Sequence, residues 1–258
     1  MIKLKKRIIN NKSLPFIIAE LGINHQGSFK IAKKMAYLAI KNGADAIKNQ
    51  THLLDDEMIN DAKKIKPENA NKSIYNVIKS NYLKFEDEVK LKKFVESKGA
   101  IYLSTPFSLE AAKKLNSIKV KIFKIGSGEC NNYPLIEEIC KFRKPIIMST
   151  GMNDLNSLKK SVKILEKYRI NYALMHCVSE YPANYNHLKL DYIKKLKRNF
   201  PKALIGYSDH SKGIIPCFSA ISKGAKIIEK HFTDTKKRNG PDIICSMDPK
   251  ELNHLVQG

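Results

Sequence analysis

Two stretches late in the chain carry residues that could hold a metal. ALIGYSDH, from Ala203, and AKIIEKHFT, from Ala225, are apolar runs of strand length that each end in a histidine, His210 and His231. If the runs are neighbouring parallel strands, both imidazoles emerge at the same end of a sheet over a common site. Two neutral imidazoles with room for oxygen ligands suit a divalent transition metal with open positions, which can polarise a carbonyl. A lone strand-end histidine is more often a cap on its strand, so the pair draws its meaning from the elements that place it.

Those elements recur along the whole chain. β-rich apolar runs fall at Phe16–Leu21, Ala44–Lys48, Ala100–Ser104, Val120–Ile125, Pro145–Ser149, Tyr172–Cys177, Ala203–Tyr207 and Ala225–Lys230. Between most of them the apolar period changes to that of a helix. Phe29–Asn42 puts Ile31, Met35, Leu38 and Ala39 on one face and stops at Gly43. Glu86–Lys98 does the same with Val89, Leu91, Phe94 and Val95 before Gly99. Asp154–Tyr168 buries Leu158, Val162 and Leu165, with Asn153 as its expected cap. Eight strand–helix alternations with near-continuous apolar strands predict a (β/α)8 TIM barrel. A doubly wound sheet would want a GxGxxG turn, and none follows a strand. The connection from Lys48 to Ala100 exceeds one helix, and its polar first part is expected to form a lid over the barrel mouth.

Catalysis in such a barrel sits where strands end and βα loops begin. Here those ends carry Glu20, then Lys48 and Gln50, Ser104 and Thr105, and Lys124 followed by GSGE. Further on they carry Ser149–Thr150–Gly151, then His176, Ser179 and Tyr181, then Ser208 and Asp209, and finally Glu229. Two lysines and several hydroxyls converging on one mouth suit a phosphate or carboxylate, and the GSG and STG turns add backbone N–H groups. The residues alone thus suggest a metal-assisted reaction joining a phosphorylated anion to a carbonyl compound.

Composition narrows the alternatives. The 258 residues suffice for one barrel, and no apolar run reaches the ~18–20 residues of a membrane span. The basic N-terminus lacks the apolar core of a secretory signal, so a cytoplasmic protein is expected. The net charge of +22 comes mainly from lysines at helix-surface spacing, without a basic run or aromatic-interleaved stripe, and reads as solvated surface rather than a nucleic-acid site. Cys130, Cys140, Cys177, Cys217 and Cys245 form no CxxC pair and read as buried thiols.

The runs IIAELGINHQGS, IKNQTHLLDDEM, YLSTPFS, FKIGSGECNNYPLI, IIMSTGMN, GYSDH, EKHFTD and GPDIICSMDP together resemble the sialic acid synthase (N-acetylneuraminate synthase) family in order and spacing, from about Phe16 to Gly258. NNYPL and GPDIICSM look most like the bacterial N-acetylneuraminate branch. The resemblance implies condensation of phosphoenolpyruvate with open-chain N-acetylmannosamine, releasing phosphate. By motif, Lys48, Thr105, Lys124, Ser127, Ser149 and Ser208 would hold phosphoenolpyruvate, and His210 and His231 the metal, Mn2+ or else Mg2+ or Co2+. Gln50, Asn69, Ser179, Tyr181 and Asp242 would position the sugar, and Glu20, Glu129 and Glu229 would handle protons or water. The chain departs from the pattern in HCVSEYP, where Ser179 replaces an asparagine of the bacterial branch. The resemblance also implies an antifreeze-like C-terminal domain that lends an arginine to the partner subunit's sugar site; with Gly258 falling within the expected eighth helix, the chain is expected to lack it. The expectation is one synthase domain over residues 1–258, with an N-terminal extension at 1–15, an incomplete last helix, and a homodimer if a separate domain completes it. The alternatives are a pseudaminic or legionaminic acid synthase and a truncated, inactive barrel.

Overall fold

All eight expected strands form, and all run parallel in one curved sheet. The structure, a computed structural model, describes residues 1–4, 7–66 and 71–258. Strands β1 (Ile2–Leu4) and β2 (Arg7–Ile9) make a short antiparallel pair. The sheet follows as β3 (Phe16–Glu20), β4 (Ala46–Thr51), β5 (Ile101–Pro106), β6 (Phe123–Ile125), β7 (Ile146–Ser149), β8 (Tyr172–Cys177), β9 (Leu204–Asp209) and β10 (Ile227–His231). The helices are α1 (Phe29–Lys41), α2 (Leu54–Glu57), α3 (Ile74–Asn81), α4 (Phe85–Ser97), α5 (Leu109–Ser117), α6 (Tyr133–Lys141), α7 (Leu155–Lys167), α8 (Tyr192–Asn199), α9 (Ile215–Ser222) and α10 (Pro249–Gln257).

Ladder hydrogen bonds run β5–β4–β3–β10–β9–β8–β7–β6, with β10 returning to β3 so that His231 pairs with Glu20. β5 and β6 lie side by side without a ladder and complete the (β/α)8 TIM barrel.

Strand parity then sorts the side chains, because successive residues point to opposite faces. Ile17, Ala19, Ile47, Phe123, Ile125, Ile146, Met148 and Leu174 join the layer beneath the helices. Phe16, Ile18, Leu103, Ile122, Ile147, Met175, Leu204 and Ile227 fill the barrel's interior. On most strands the next inward position is polar, and those positions form the site.

The lower end of the interior is closed by β1 and β2. Ile2, Leu4 and Ile9 are buried among the interior residues, so the segment expected to be an extension is part of the core. Each such side chain contributes about 2–3 kcal/mol by leaving water.

Local signals set most helix ends. Ser28, Ser108 and Asn132 cap α1, α5 and α6 by accepting from the third residue on. The expected cap of α7 is corrected by one position: Asp154, not Asn153, accepts the N–H of Ser157 at 2.7 Å. Asn153 instead donates to the carbonyls of Ser127 (2.8 Å) and Gly151 (2.6 Å), tying two mouth loops together. α10 opens with a capping box between Asp248 and Glu251 and buries Leu252 and Leu255.

Candidate active site

Inside the upper barrel four buried charges face one another. Lys48, on β4, pairs with the Glu20 carboxylate of β3, donates to Thr105 Oγ1 at 3.2 Å and lies 3.8 Å from Glu229 Oε1. Lys124, on β6, donates to Ser149 Oγ at 2.7 Å and to the Ile125 carbonyl at 3.2 Å, with Nζ 3.6 Å from Glu229 Oε1. Glu229 also accepts from Ser208 Oγ at 3.0 Å, while its Oε2 is buried with no hydrogen-bond partner.

The two carboxyls differ in environment, and their proton affinities separate. Burial raises the Glu20 carboxyl to about 7, against the pull of Lys48 and with added repulsion from Glu229. Burial acts the same way on Glu229, but Lys124 and Lys48 outweigh it and hold that carboxyl well below its ordinary range. One group can therefore carry a proton near neutral pH while the other stays charged.

Beside this cluster stand the two imidazoles. Burial lowers His210 to about 4 and His231 to about 3, so both are neutral and keep a lone pair. His210 Nδ1 donates to the Val178 carbonyl at 2.7 Å, which leaves Nε2 as the acceptor, facing the Tyr181 hydroxyl at 3.2 Å. Such a second-nitrogen contact fixes the tautomer of a ligating histidine. His231 Nδ1 is buried, has no hydrogen-bond partner, and lies 3.6 Å from Asp242 Oδ2. The Asp242 carboxyl is pushed up to about 6 by burial. Gly22, at φ +51°, permits this approach, since a Cβ there would lie 3.1 Å from the His231 ring. Among the described residues no group of three or more His, Cys, Asp or Glu is placed to hold a metal ion. A two-imidazole set with an orphaned nitrogen and a nearby carboxylate fits a divalent cation that keeps positions open for an oxygen ligand.

The other expected residues divide into two groups. Gln50 joins the cluster by donating from Nε2 to Glu20 Oε1 at 3.2 Å, and Tyr181 stacks on His210 with ring centroids 4.2 Å apart. Ser127 and Ser179 meet at Gly151, where an added Cβ would lie 2.9 and 2.7 Å from their hydroxyls. Glu129 accepts from Asn132 Nδ2 at 2.7 Å, and Asn69 lies outside the described residues.

Three functional candidates escaped the sequence reading. Cys177 points inward from β8, with Sγ 2.9 Å from Ser127 Oγ. Parity with Ala173 and Met175 could have placed it there. His52 and Glu57 pair at 2.9 Å above Gln50. The run read as a lid carries them, and α3 within it borders a cleft with Gln26 and Asn239–Pro241, against the loops that follow β3 and β10.

Comparison with known proteins now bears on this arrangement. Residues 35–258 match the NeuB family. The chain belongs to the NeuB family. It is 40% identical over 256 residues to an uncharacterized protein of Methanocaldococcus jannaschii, covering 99% of this chain and 73% of that protein. It is 39% identical over 246 residues to the N,N'-diacetyllegionaminic acid synthase of Campylobacter jejuni, covering 93% of this chain and 73% of the relative. Among solved structures it superposes with a TM-score of 0.90 on the N-acetylneuraminic acid synthetase of Leptospira borgpetersenii, at 34% identity, over 99% of this chain and 86% of that one. Family relatives thus include synthases of sialic and legionaminic acids, and membership fits a condensing transferase. No helix of the described residues is long and apolar enough to cross a membrane.

Proposed function

We propose that this chain condenses phosphoenolpyruvate with an open-chain N-acylated hexosamine, N-acetylmannosamine or a close relative, and releases phosphate. The observation that supports this best is the buried set Glu20, Lys48, Lys124 and Glu229 facing neutral His210 and His231. The ammonium groups of Lys48 and Lys124, with the hydroxyls of Thr105, Ser127, Ser149 and Ser208, offer donors to a phosphate and a carboxylate. Gln50, Ser179, Tyr181 and Asp242 would meet the sugar. A divalent cation, Mn2+ in preference to Mg2+ or Co2+, held by His210 and His231 would supply Lewis-acid polarisation of the aldehyde oxygen.

The residues of the chain account for the remaining steps. C3 of phosphoenolpyruvate bonds to the aldehyde carbon, the carbonyl electron pair moves onto the aldehyde oxygen, and C2 becomes an oxocarbenium centre. Glu229, held ionised, stabilises that cation without needing to reorganise. Glu20, raised to about 7, can accept a proton from the water that adds to C2. Glu20 passes that proton to the aldehyde-derived oxygen. Phosphate then leaves with the C–O electron pair, its charge balanced by Lys48 and Lys124, and takes the remaining hydroxyl proton as C2 becomes the ketone.

A second reading, condensation with a 6-deoxy diacetamido sugar, draws on the 39% identity to the Campylobacter jejuni legionaminic acid synthase. Phosphate release measured with each sugar, with and without Mn2+, separates the readings. Release with N-acetylmannosamine alone supports the first and release with the 6-deoxy sugar alone the second. No release with either, in protein that binds phosphoenolpyruvate, rejects both.

A further inference from the structure

Along β4 and the residue just after it, Lys48, Gln50 and His52 alternate onto one face and climb from the barrel interior to its mouth. Their polar ends form a continuous chain. Gln50 Nε2 lies 3.2 Å from Glu20 Oε1, Gln50 Oε1 lies 3.1 Å from His52 Nε2, and His52 Nδ1 lies 2.9 Å from Glu57 Oε1. The Leu53 N–H donates to the other Glu57 oxygen at 3.2 Å, so that carboxylate is held from two sides. The imidazole stacks on Phe107, with centroids 4.4 Å apart and planes 9° from parallel. The His52 and Glu57 side chains are 4% and 3% exposed, so water offers them little alternative.

A carboxamide has one accepting and one donating end, and its two orientations are nearly the same shape. Whichever end faces His52 decides which end faces Glu20. We infer that His52 and Glu57 are positioning residues that fix the Gln50 carboxamide, with His52 Nε2–H donating to Oε1 and so turning the amide N–H toward Glu20. Both ring nitrogens then donate, Nε2–H to Gln50 Oε1 and Nδ1–H to the Glu57 carboxylate, so the ring is an imidazolium paired with Glu57, and the stack on Phe107 sets its plane. This ties α2, the first helix of the segment between β4 and β5, to the Glu20 carboxylate inside the barrel. The sugar-binding consequence rests on the synthase reading above, whereas the amide orientation does not.

The test compares His52→Leu, His52→Gln and His52→Asn in the full chain. A glutamine amide can place a donor where His52 Nε2 stands, and an asparagine amide only where Nδ1 stands. KM for the sugar is expected to rise about tenfold in His52→Leu and His52→Asn and to return to within about threefold in His52→Gln, the scale of one buried hydrogen bond. KM for phosphoenolpyruvate should change by less than about twofold. Equal rescue by asparagine, or a parallel rise in both KM values, overturns the inference and assigns His52 to packing alone. If the wild-type protein turns over no sugar, the synthase reading fails and crystal structures decide the inference. The Gln50–Glu20 contact should be lost in His52→Leu and kept in His52→Gln, and its persistence in His52→Leu overturns the assignment.

Discussion

The ring centroids of His210 and His231 lie 5.7 Å apart because β9 and β10 place Asp209 and Lys230 as register partners one residue earlier. Asp209 and Lys230 point the other way and form a fully buried ion pair at 2.7 Å, with Lys230 also donating to the Ser211 carbonyl at 2.7 Å. That pair behind the sheet fixes the pitch of the two imidazoles in front of it. His210→Ala and His231→Ala should each lower metal-dependent kcat/KM at least about 1000-fold, the several kcal/mol a Lewis acid supplies. Each should also weaken Mn2+ binding followed by electron paramagnetic resonance. Near-normal turnover in either variant would remove it from the metal site.

The Glu20 carboxyl, raised to about 7, gives the reaction a pH signature. A base must be deprotonated to accept a proton, so kcat/KM should rise as pH increases through about 7. Glu20→Gln should lose that limb and retain a low, flat rate. A wild-type profile flat between pH 6 and 8 would take Glu20 out of the base role.

Lys124 is hydrogen-bonded to Ser149 and shares Glu229 with Lys48. Lys124→Met would leave the buried Glu229 charge with one partner fewer. Breaking a buried pair costs about 3–5 kcal/mol, and Glu229→Gln in the same chain should restore part of that in urea unfolding. If the two substitutions add independently, the coupling described here is absent.

Ile9 is fully buried where β2 closes the barrel. Ile9→Ala should destabilise the protein by about 2–5 kcal/mol in urea unfolding, with kcat unchanged below the transition. A loss under about 0.5 kcal/mol would mean that β1 and β2 are dispensable.

The eight strands were legible because each is apolar on both faces and bounded by polar punctuation, and observed ends differ from expectation by a few residues at most. Most of the site followed, since strand parity turns the next inward residue after an apolar pair into a mouth residue. Chemistry between residues far apart in sequence did not show. Ile2, Leu4 and Ile9 alternate with lysines and arginine in a run too short to separate a core hairpin from a basic tail. Glu88 looks like one more surface carboxylate of a charged helix. It is buried nonetheless, accepting from Thr51 Oγ1 at 2.7 Å and Tyr102 OH at 2.8 Å, partners that only the fold brings near. His52 and Glu57 were hidden similarly, inside a segment whose polarity suggested only a cover.

The missing ladder between β5 and β6 divides the site into two shores. Lys48 and Thr105 stand on β4 and β5, Lys124 and Ser149 on β6 and β7, and no backbone hydrogen bond of the described strands spans the gap between. Glu229, from the opposite wall, reaches both lysines at 3.8 and 3.6 Å and is the tether between the shores. An arriving dianion would compete with that tether for the same ammonium groups. Binding of such a dianion would then be mechanically coupled to the width of the seam.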